Sequence, residues 1–288
     1  MQRVLSTYLF VNRKLTAALV AEIARADIPA IELFCAREHF DYRAPQQARE
    51  LGDWLTGQNL VLHSVHAPTD RDLGPGRESG VPISITEPER LRRLDALDEV
   101  KRALDLAELV PFRFLVQHLG SGREPMDPRR WDAAFNSLEH LVLFAKQRGV
   151  TIALENTPGE LATPANLRRF IAETRLHDLR LCFDTGHAHM EEGVEPSFET
   201  MREHVVTTHV HDNRGEKDEH LLPYEGTIDW TATLKSLSEA QPGGLPIVLE
   251  LKDQAAHAAA LEPPSLSNAL QGVRGVFEKF EQALSAKA

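Results

Sequence analysis

The chain has 288 residues, 42 % of them hydrophobic and 26 % charged, a composition that excludes collagen-like, low-complexity and disordered classes. Its formal net charge of −11 argues against nucleic-acid or anionic-membrane partners, because those surfaces are bound through basic patches. The two cysteines, Cys35 and Cys182, lie far apart in apolar segments and are expected as buried thiols of a reducing compartment. No signal peptide or bilayer-spanning segment is visible, so we expect a cytoplasmic protein.

Short apolar runs recur along the chain, and each ends at a polar residue or a turn. They cover residues 4–9, 30–34, 60–66, 112–118, 150–155, 179–184, 205–210 and 247–251. Runs that lack alternating polar positions are typical of strands buried on both faces of a parallel sheet.

Segments of helical periodicity separate these runs. They predict helices over residues 16–26, 45–56, 88–109, 128–148, 164–174, 196–204, 230–239 and 265–284. Strands that alternate with helices predict a single (β/α)8 TIM barrel of the α/β class, as one domain over residues 1–288. A doubly wound open sheet is the alternative, but the turn at residues 10–13 lacks the glycine that such folds carry after the first strand. Residues 67–87 are expected as a long loop over one end of the barrel.

Acids and histidines stand at the carboxyl ends of the predicted strands. They are Glu32, His66, His118, Glu155, Asp184, His187, His209, His211 and Glu250. In a (β/α)8 barrel these ends converge on one face, where active sites are built. The alternation of side chains along a strand places Ala153 on the same side as Glu155, and Cys182 on the same side as Asp184.

A single histidine at a strand end is more often structural than a ligand. Several acids at one barrel mouth are a stronger sign of a functional site, because buried carboxylates repel one another unless a cation or a proton compensates their charge. Acids mixed with imidazoles therefore predict a divalent metal, Zn or Mn first, with Fe, Co or Mg as further possibilities.

Three motifs carry a family resemblance. They are Leu154-Glu155-Asn156, the turn Phe183-Asp184-Thr185-Gly186-His187, and the segment 209–230 with His209-Val210-His211-Asp212-Asn213, Asp218-Glu219-His220 and Tyr224-Glu225-Gly226-Thr227-Ile228-Asp229-Trp230. In strand order and over essentially the whole chain, the sequence resembles the sugar phosphate isomerase/epimerase superfamily. This xylose-isomerase-like barrel group also contains endonuclease IV, and its fold is a single (β/α)8 barrel.

The resemblance implies roles for individual residues. A shared metal-binding core would consist of Glu155, Asp184, His209 and Glu250, with Glu155 and Glu250 as the acid/base pair of the epimerases. The further ligands by which endonuclease IV holds three zinc ions correspond to His66, His118, His187, Asp218 and His220. Substrate contacts are expected at His187 and His66, and His220 is expected in the same pocket as Glu155. From its place at a strand end, Glu32 is expected either to contact the substrate or to cap the next turn.

One ambiguity concerns the seventh strand. His209 and His211 lie on the same side of it, so either can point inward. We prefer His209, because residues 211–213 already read as the start of a loop.

The predicted activity is metal-dependent isomerisation or epimerisation of a small sugar-like molecule through an enediolate, with homo-oligomerisation possible. The main alternative is hydrolysis of phosphodiesters in abasic DNA, as by endonuclease IV, although no basic, aromatic-bearing loops suited to DNA are visible. A non-catalytic sugar-binding barrel and glycoside hydrolysis through Glu155 and Glu250 are more distant alternatives.

Overall fold

Parallel strands form the centre of the protein, whose computed structural model describes residues 1–71, 80–120, 124–253 and 266–285. The strands are β1 (Arg3–Ser6), β2 (Ala30–Phe34), β3 (Val61–His66), β4 (Phe114–His118), β5 (Thr151–Glu155), β6 (Arg180–Asp184), β7 (Val205–His209) and β8 (Ile247–Leu249). Consecutive strands pair in order from β1 to β7, and β8 pairs with β1. Each of these strands lies within a run predicted from the sequence or starts one residue outside it.

The sheet closes between β7 and β8. Val210, one residue beyond β7, forms a parallel bridge with Leu249. The amide of Val210 donates to the carbonyl of Val248 at 2.8 Å, and the amide of Glu250 donates to the carbonyl of Val210 at 3.2 Å. The predicted (β/α)8 TIM barrel is confirmed.

Helices connect the strands. In the described residues they are α1 (Ala17–Arg25), α2 (Pro45–Gly57), α3 (Arg90–Asp105), α4 (Pro128–Lys146), α5 (Pro164–Thr174), α6 (Thr185–Met190), α7 (Val194–Met201), α8 (Trp230–Glu239) and α9 (Leu266–Ser285). Single 3₁₀ turns follow β1, α3 and α7. Asp127 and Thr163 cap α4 and α5 through their side chains, each with proline in the first turn, as the sequence predicts.

Helix α6 is absent from the sequence prediction. It has only six residues, and one of them is glycine, so it carries too little periodicity to be recognised. It forms because the carboxylate of Asp184, at the end of β6, accepts a hydrogen bond from the amide of His187 at 2.6 Å and so caps the helix.

Side chains alternate along the strands between the barrel interior and the surrounding core. Ala153, Cys182 and Val116 pack with one another as a small separate cluster. Their neighbours along the strands, such as Ile152 and Leu154, join the large apolar core formed with the helices. The predicted alternation therefore holds, and it turns the polar strand ends toward one mouth of the barrel.

No helix in the described ranges is both long and apolar enough to cross a membrane. Both cysteines are buried free thiols. The predicted loop over residues 67–87 includes residues 72–79, which lie outside the described residues.

Candidate metal centre

A compact group of acids surrounds His209 at the carboxyl-terminal mouth of the barrel. Nδ1 of His209 lies 3.3 Å from Oε1 of Glu155, 3.5 Å from Oε2 of Glu250 and 4.0 Å from Oδ2 of Asp184. One ligand atom from each of the four residues lies within 4.8 Å of the others. We call Glu155, Asp184, His209 and Glu250 the core cluster, which is the set that the resemblance implies.

Three buried polar atoms of the core cluster lack hydrogen bonds that would compensate their burial. Glu155, Asp184 and His209 are fully buried and Glu250 is 3 % exposed. Both carboxylate oxygens of Glu155 and Nδ1 of His209 have no hydrogen-bond partner among the described residues. Buried carboxylates without such partners are costly unless a cation neutralises them. Three carboxylates and one imidazole are also a donor set that divalent transition metals accept, so the residues present fit such an ion.

Protonation of His209 is the other way to neutralise these acids. Burial lowers the pKa of His209, but the carboxylates of Glu250, Glu32 and Glu155 raise it well above its usual range. Burial raises the pKa of Glu155, whereas the positive charge of His209 and His118 holds it well below its usual range. A proton and a metal ion therefore compete for the same position, because Nδ1 must lose its proton to bind a metal.

A second group of ligand atoms adjoins the core cluster on the side of β3 and β4. Nε2 of His66 and Nε2 of His118 lie 3.4 Å and 3.2 Å from Oε2 of Glu155. His66 Nδ1 donates to the carbonyl of Ala67 at 2.8 Å, so Nε2 is the ring nitrogen that faces Glu155. Glu155 therefore contacts the imidazole of His209 through Oε1 and those of His66 and His118 through Oε2.

A third group lies on the opposite side, and we call His187, His211, Asp218 and His220 the loop cluster. Their ligand atoms lie within 4.8 Å of one another. His220 Nε2 is 2.9 Å from Oδ2 of Asp218, and His220 Nδ1 donates to the carbonyl of Glu250 at 2.9 Å. His220 is 5 % exposed and lines the same cavity as Glu155.

The structure brings both His209 and His211 into the site. His209 ends β7, and His211 lies two residues beyond it, where the sequence places the start of a loop, but its ring also points inward. His211 is fully buried, and its Nε2 lies 3.1 Å from Oδ2 of Asp184. Its ring stacks on that of His220 with centroids 4.0 Å apart. A Cβ at Gly186 would lie 2.0 Å from Cε1 of His211, so glycine at this position makes room for the ring. The alternation His209-Val210-His211 was the available signal, since residues two apart share a face.

Asp212 holds the loop that carries Asp218 and His220. Its carboxylate accepts hydrogen bonds from the amides of Asn213, Tyr224 and Ile228 and from the indole Nε1 of Trp230, the last at 2.7 Å. Lys252 adds a contact from beyond β8, because its Nζ donates to the carbonyl of Asp218 at 3.0 Å. The loop cluster is therefore fixed from both ends of the loop.

Glu32 does not reach the position expected of a substrate contact. It is fully buried, accepts a hydrogen bond from Ser64 Oγ at 2.8 Å and lies 3.1 Å from Nε2 of His209. His66 and His187, the other expected substrate contacts, do line the cavity over the core cluster.

That cavity has a volume of about 520 Å³, within the range of small-molecule sites. One wall is aromatic, since the ring of Phe34 lies 4.6 Å from that of Tyr8 and 4.8 Å from that of His66. Another part of the wall comes from Thr69, Asp70, Pro82 and Ile83, where Asp70 pairs with Pro82. The floor consists of Glu155 and Glu250 together with His187, Asp218 and His220 of the loop cluster. The molecule is thus a (β/α)8 barrel with a carboxylate–histidine centre at the mouth where such barrels carry their active sites.

The sequence profile of the xylose isomerase-like TIM barrel matches residues 20–273. The chain therefore belongs to the xylose isomerase-like TIM barrel family, and the resemblance drawn from its motifs is confirmed.

Relatives and solved structures agree with this assignment. An uncharacterized protein of Methanocaldococcus jannaschii is 28 % identical over 249 residues, which are 81 % of this chain and 78 % of that protein. The inosose dehydratase of Erwinia tasmaniensis is 30 % identical over 148 residues, which are 44 % of this chain and 49 % of the dehydratase. The crystal structure of a D-tagatose 3-epimerase-like protein superimposes with a TM-score of 0.78 at 22 % identity, covering 100 % of this chain and 99 % of that one. That likeness concerns the fold.

Proposed function

We propose that the protein is a divalent-metal-dependent isomerase or epimerase of a small sugar-like molecule. The observation that carries the proposal is the pair Glu155 and Glu250, whose carboxylates both lie within 3.5 Å of His209 Nδ1 at the floor of the cavity. Two carboxylates that share one ion position can act on the same substrate from different directions. Epimerisation requires such a pair, because one group removes a proton and another returns it.

The core cluster would hold the ion, which when bound supplies positive charge for the oxygens of a carbonyl and a neighbouring hydroxyl. One of the two glutamates removes the proton from the carbon next to the carbonyl, and the other delivers a proton to the neighbouring carbon or to the opposite face. His187, which lines the cavity, is placed to donate a hydrogen bond to a substrate hydroxyl. The aromatic wall of Tyr8 and Phe34 excludes water and contacts the C–H face of the sugar.

The names of similar proteins support this chemistry. One solved structure with the same fold is described as epimerase-like, and a relative is an inosose dehydratase. Epimerisation next to a carbonyl and dehydration of a keto-polyol can both begin with loss of a proton beside the carbonyl. Proton abstraction is therefore the step that we assign to this site first.

Exchange of substrate hydrogen with solvent tests the proposal. Incubation of the zinc- or manganese-loaded protein with free ketohexoses and with inosose in D2O is expected to place deuterium on the carbon next to the carbonyl, as followed by ¹H NMR. The same protein treated with a chelator serves as the control and is expected to give only the background rate. Absence of exchange in every ketose and in inosose, with the metal shown to be bound, would contradict the proposal.

Hydrolysis of phosphodiesters is the second candidate, and a specific observation favours it. His66 and His118 adjoin Glu155 on one side, and the loop cluster adjoins Asp184 on the other. Clustered ions in such a row can stabilise both the attacking and the leaving oxygen of a phosphodiester.

Metal stoichiometry separates the two candidates. We expect elemental analysis of the purified protein to find one tightly held ion per chain, since the core cluster has the most carboxylates. Three ions per chain, together with cleavage of DNA that contains an abasic site, would favour the phosphodiesterase instead.

The cytoplasmic location, the absence of a nucleic-acid partner and homo-oligomerisation remain predictions from the sequence.

A further inference from the structure

Glu32 is a buried carboxylate that neither the proposed chemistry nor the ligand clusters use. It stands on β2, on the inner side of the barrel, and is fully buried. Nε2 of His209 lies between its two oxygens, 3.1 Å from Oε1 and 3.2 Å from Oε2. The hydroxyl of Ser64 donates to Oε2 at 2.8 Å from the neighbouring strand. Both contacts hold the carboxylate plane toward His209.

This contact decides which nitrogen of His209 carries the proton. A lone pair on Nε2 would face the negative oxygens of Glu32, so Nε2 must be the N–H donor. The neutral ring then has its lone pair on Nδ1. That atom lies 3.3 Å from Glu155 and 3.5 Å from Glu250 and has no hydrogen-bond partner among the described residues. The ring is thus oriented with its one ligand atom, Nδ1, toward the carboxylates of Glu155 and Glu250.

Three other histidines of the site are oriented differently. His66, His187 and His220 each direct Nδ1 to a backbone carbonyl, those of Ala67, Asn156 and Glu250. A carbonyl is a neutral acceptor, whereas Glu32 is a carboxylate, and a charged acceptor makes the opposite ring nitrogen a stronger electron donor. Among these four histidines, His209 therefore has the strongest metal-binding nitrogen.

We propose that Glu32 is a positioning residue of the metal centre, which fixes the orientation and proton position of His209 and strengthens its Nδ1 as a ligand. This inference rests on the proposed function, because it assumes that the core cluster binds a divalent ion. It assigns Glu32 a role toward the ion in place of the substrate contact expected from the sequence. Ser64 has a supporting role, since its hydroxyl orients the carboxylate.

Replacement of Glu32 by glutamine tests the effect of its negative charge separately from that of its size. A glutamine oxygen in the place of Oε2 can still accept the hydrogen bonds from Nε2 of His209 and from the hydroxyl of Ser64, so the size and these two contacts are kept while the negative charge is lost. Loss of such a partner typically weakens metal affinity about 10–100-fold. We expect a loss of that size in the affinity of the Glu32→Gln protein for Zn²⁺, measured by competition with a chromophoric chelator.

Glu99→Gln is the matched control. Glu99 is also a buried glutamate, 6 % exposed, but it lies on α3 and accepts a hydrogen bond from the hydroxyl of Tyr42. Its replacement is expected to leave the zinc affinity unchanged. A second variant, Ser64→Ala, keeps the charge of Glu32 and removes its orienting hydrogen bond, so we expect a smaller loss in the same direction. This variant also decides the question if Glu32→Gln does not fold.

Spectroscopy gives a readout that a purely structural role of Glu32 would not change. In ¹⁵N-labelled, zinc-loaded protein, His209 is expected to carry its proton on Nε2, with that proton far downfield because its acceptor is charged. The resonance, assigned by its loss in a His209→Gln protein, is expected to move upfield in Glu32→Gln.

Three outcomes are distinguishable. Weaker zinc binding and a shifted resonance in Glu32→Gln, with Glu99→Gln unchanged, support the inference. Equal zinc affinity in the wild type and in Glu32→Gln overturns it and leaves the metal centre standing. Failure of the wild-type protein to bind zinc, manganese, iron or cobalt overturns the proposed metal dependence, and the role of Glu32 with it.

Discussion

Replacement of Glu250 by glutamine is expected to lower kcat by about 10²–10⁴-fold, the usual contribution of one general acid or base. Glutamine has nearly the same size, and the backbone of Glu250 keeps its contacts, since its amide donates to Val210 and its carbonyl accepts from His220. The fold is therefore expected to remain. The measurement is the rate of deuterium incorporation into the substrate, made at saturating metal because Glu250 is also a candidate ligand.

Glu225→Gln is the control for this experiment. Glu225 is exposed on the loop that carries His220, so the same change of charge is expected to leave kcat unaltered. If Glu250→Gln keeps more than a tenth of the wild-type rate with its metal bound, Glu250 has no acid or base role. Glu155→Gln would then show whether a single carboxylate carries the reaction.

The stability of the metal-free protein is expected to fall as the pH rises above about 6.5, the ordinary pKa of histidine. The folded-state pKa values of His209 and His187 are raised well above that value, because neighbouring carboxylates outweigh the effect of burial. A raised pKa adds stability that is complete below the unfolded-state value and is lost as the pH rises through the folded-state value. The measurement is the Tm of chelator-treated protein between pH 6 and pH 9.

Acid is expected to destabilise the same protein for the opposite reason. The pKa values of Glu155 and Asp184 are lowered, because nearby histidines outweigh burial. Their contribution is therefore present above the ordinary carboxylate pKa and is lost as the pH falls. The contribution of these four groups to stability should be largest in weak acid, where His187 and His209 are protonated and Glu155 and Asp184 are ionised.

Added metal is expected to remove the loss at high pH, because the ion replaces the proton on His209. At about 1,000 times its Kd, a single bound ion adds about 4 kcal/mol to the free energy of unfolding, which raises Tm by roughly 10 °C in a chain of this size. The stabilisation should grow with pH. A Tm that is independent of pH without metal, or unchanged when Zn²⁺ or Mn²⁺ is added, would contradict the assignment of the core cluster.

Much of this architecture could be predicted from the sequence. Strands buried on both faces have continuous apolar sequences, so β1 to β8 can be predicted from the sequence without knowing which strands pair. The rule that strand ends meet at one mouth then brings together residues as distant in sequence as Glu155 and Glu250. Their separation from solvent and the short distances to His209 are consequences of that topology.

Other features depend on contacts that periodicity does not report. Helix α6 exists because of one capping carboxylate, and the inward turn of His211 requires the space left by Gly186. The role of Glu32 depends on the distance between β2 and β7 across the barrel interior, which pairing between adjacent strands does not reveal. Side chains that meet across a closed barrel can be recognised only once its strands are in register.

The closing strand has a consequence for when the proposed metal centre would be able to bind an ion. β8 contributes three residues to the sheet, and Glu250 follows it directly. A nascent chain that ends after β7 therefore contains His209, Glu155 and Asp184 in its sequence but lacks both Glu250 and the strand that closes the barrel. Domains form as units while the ribosome extends the chain, so the complete ligand set exists only after the last strand has emerged. An ion bound by the complete core cluster would therefore enter the finished protein, and its identity would depend on the metals available at that moment and not on those present during synthesis.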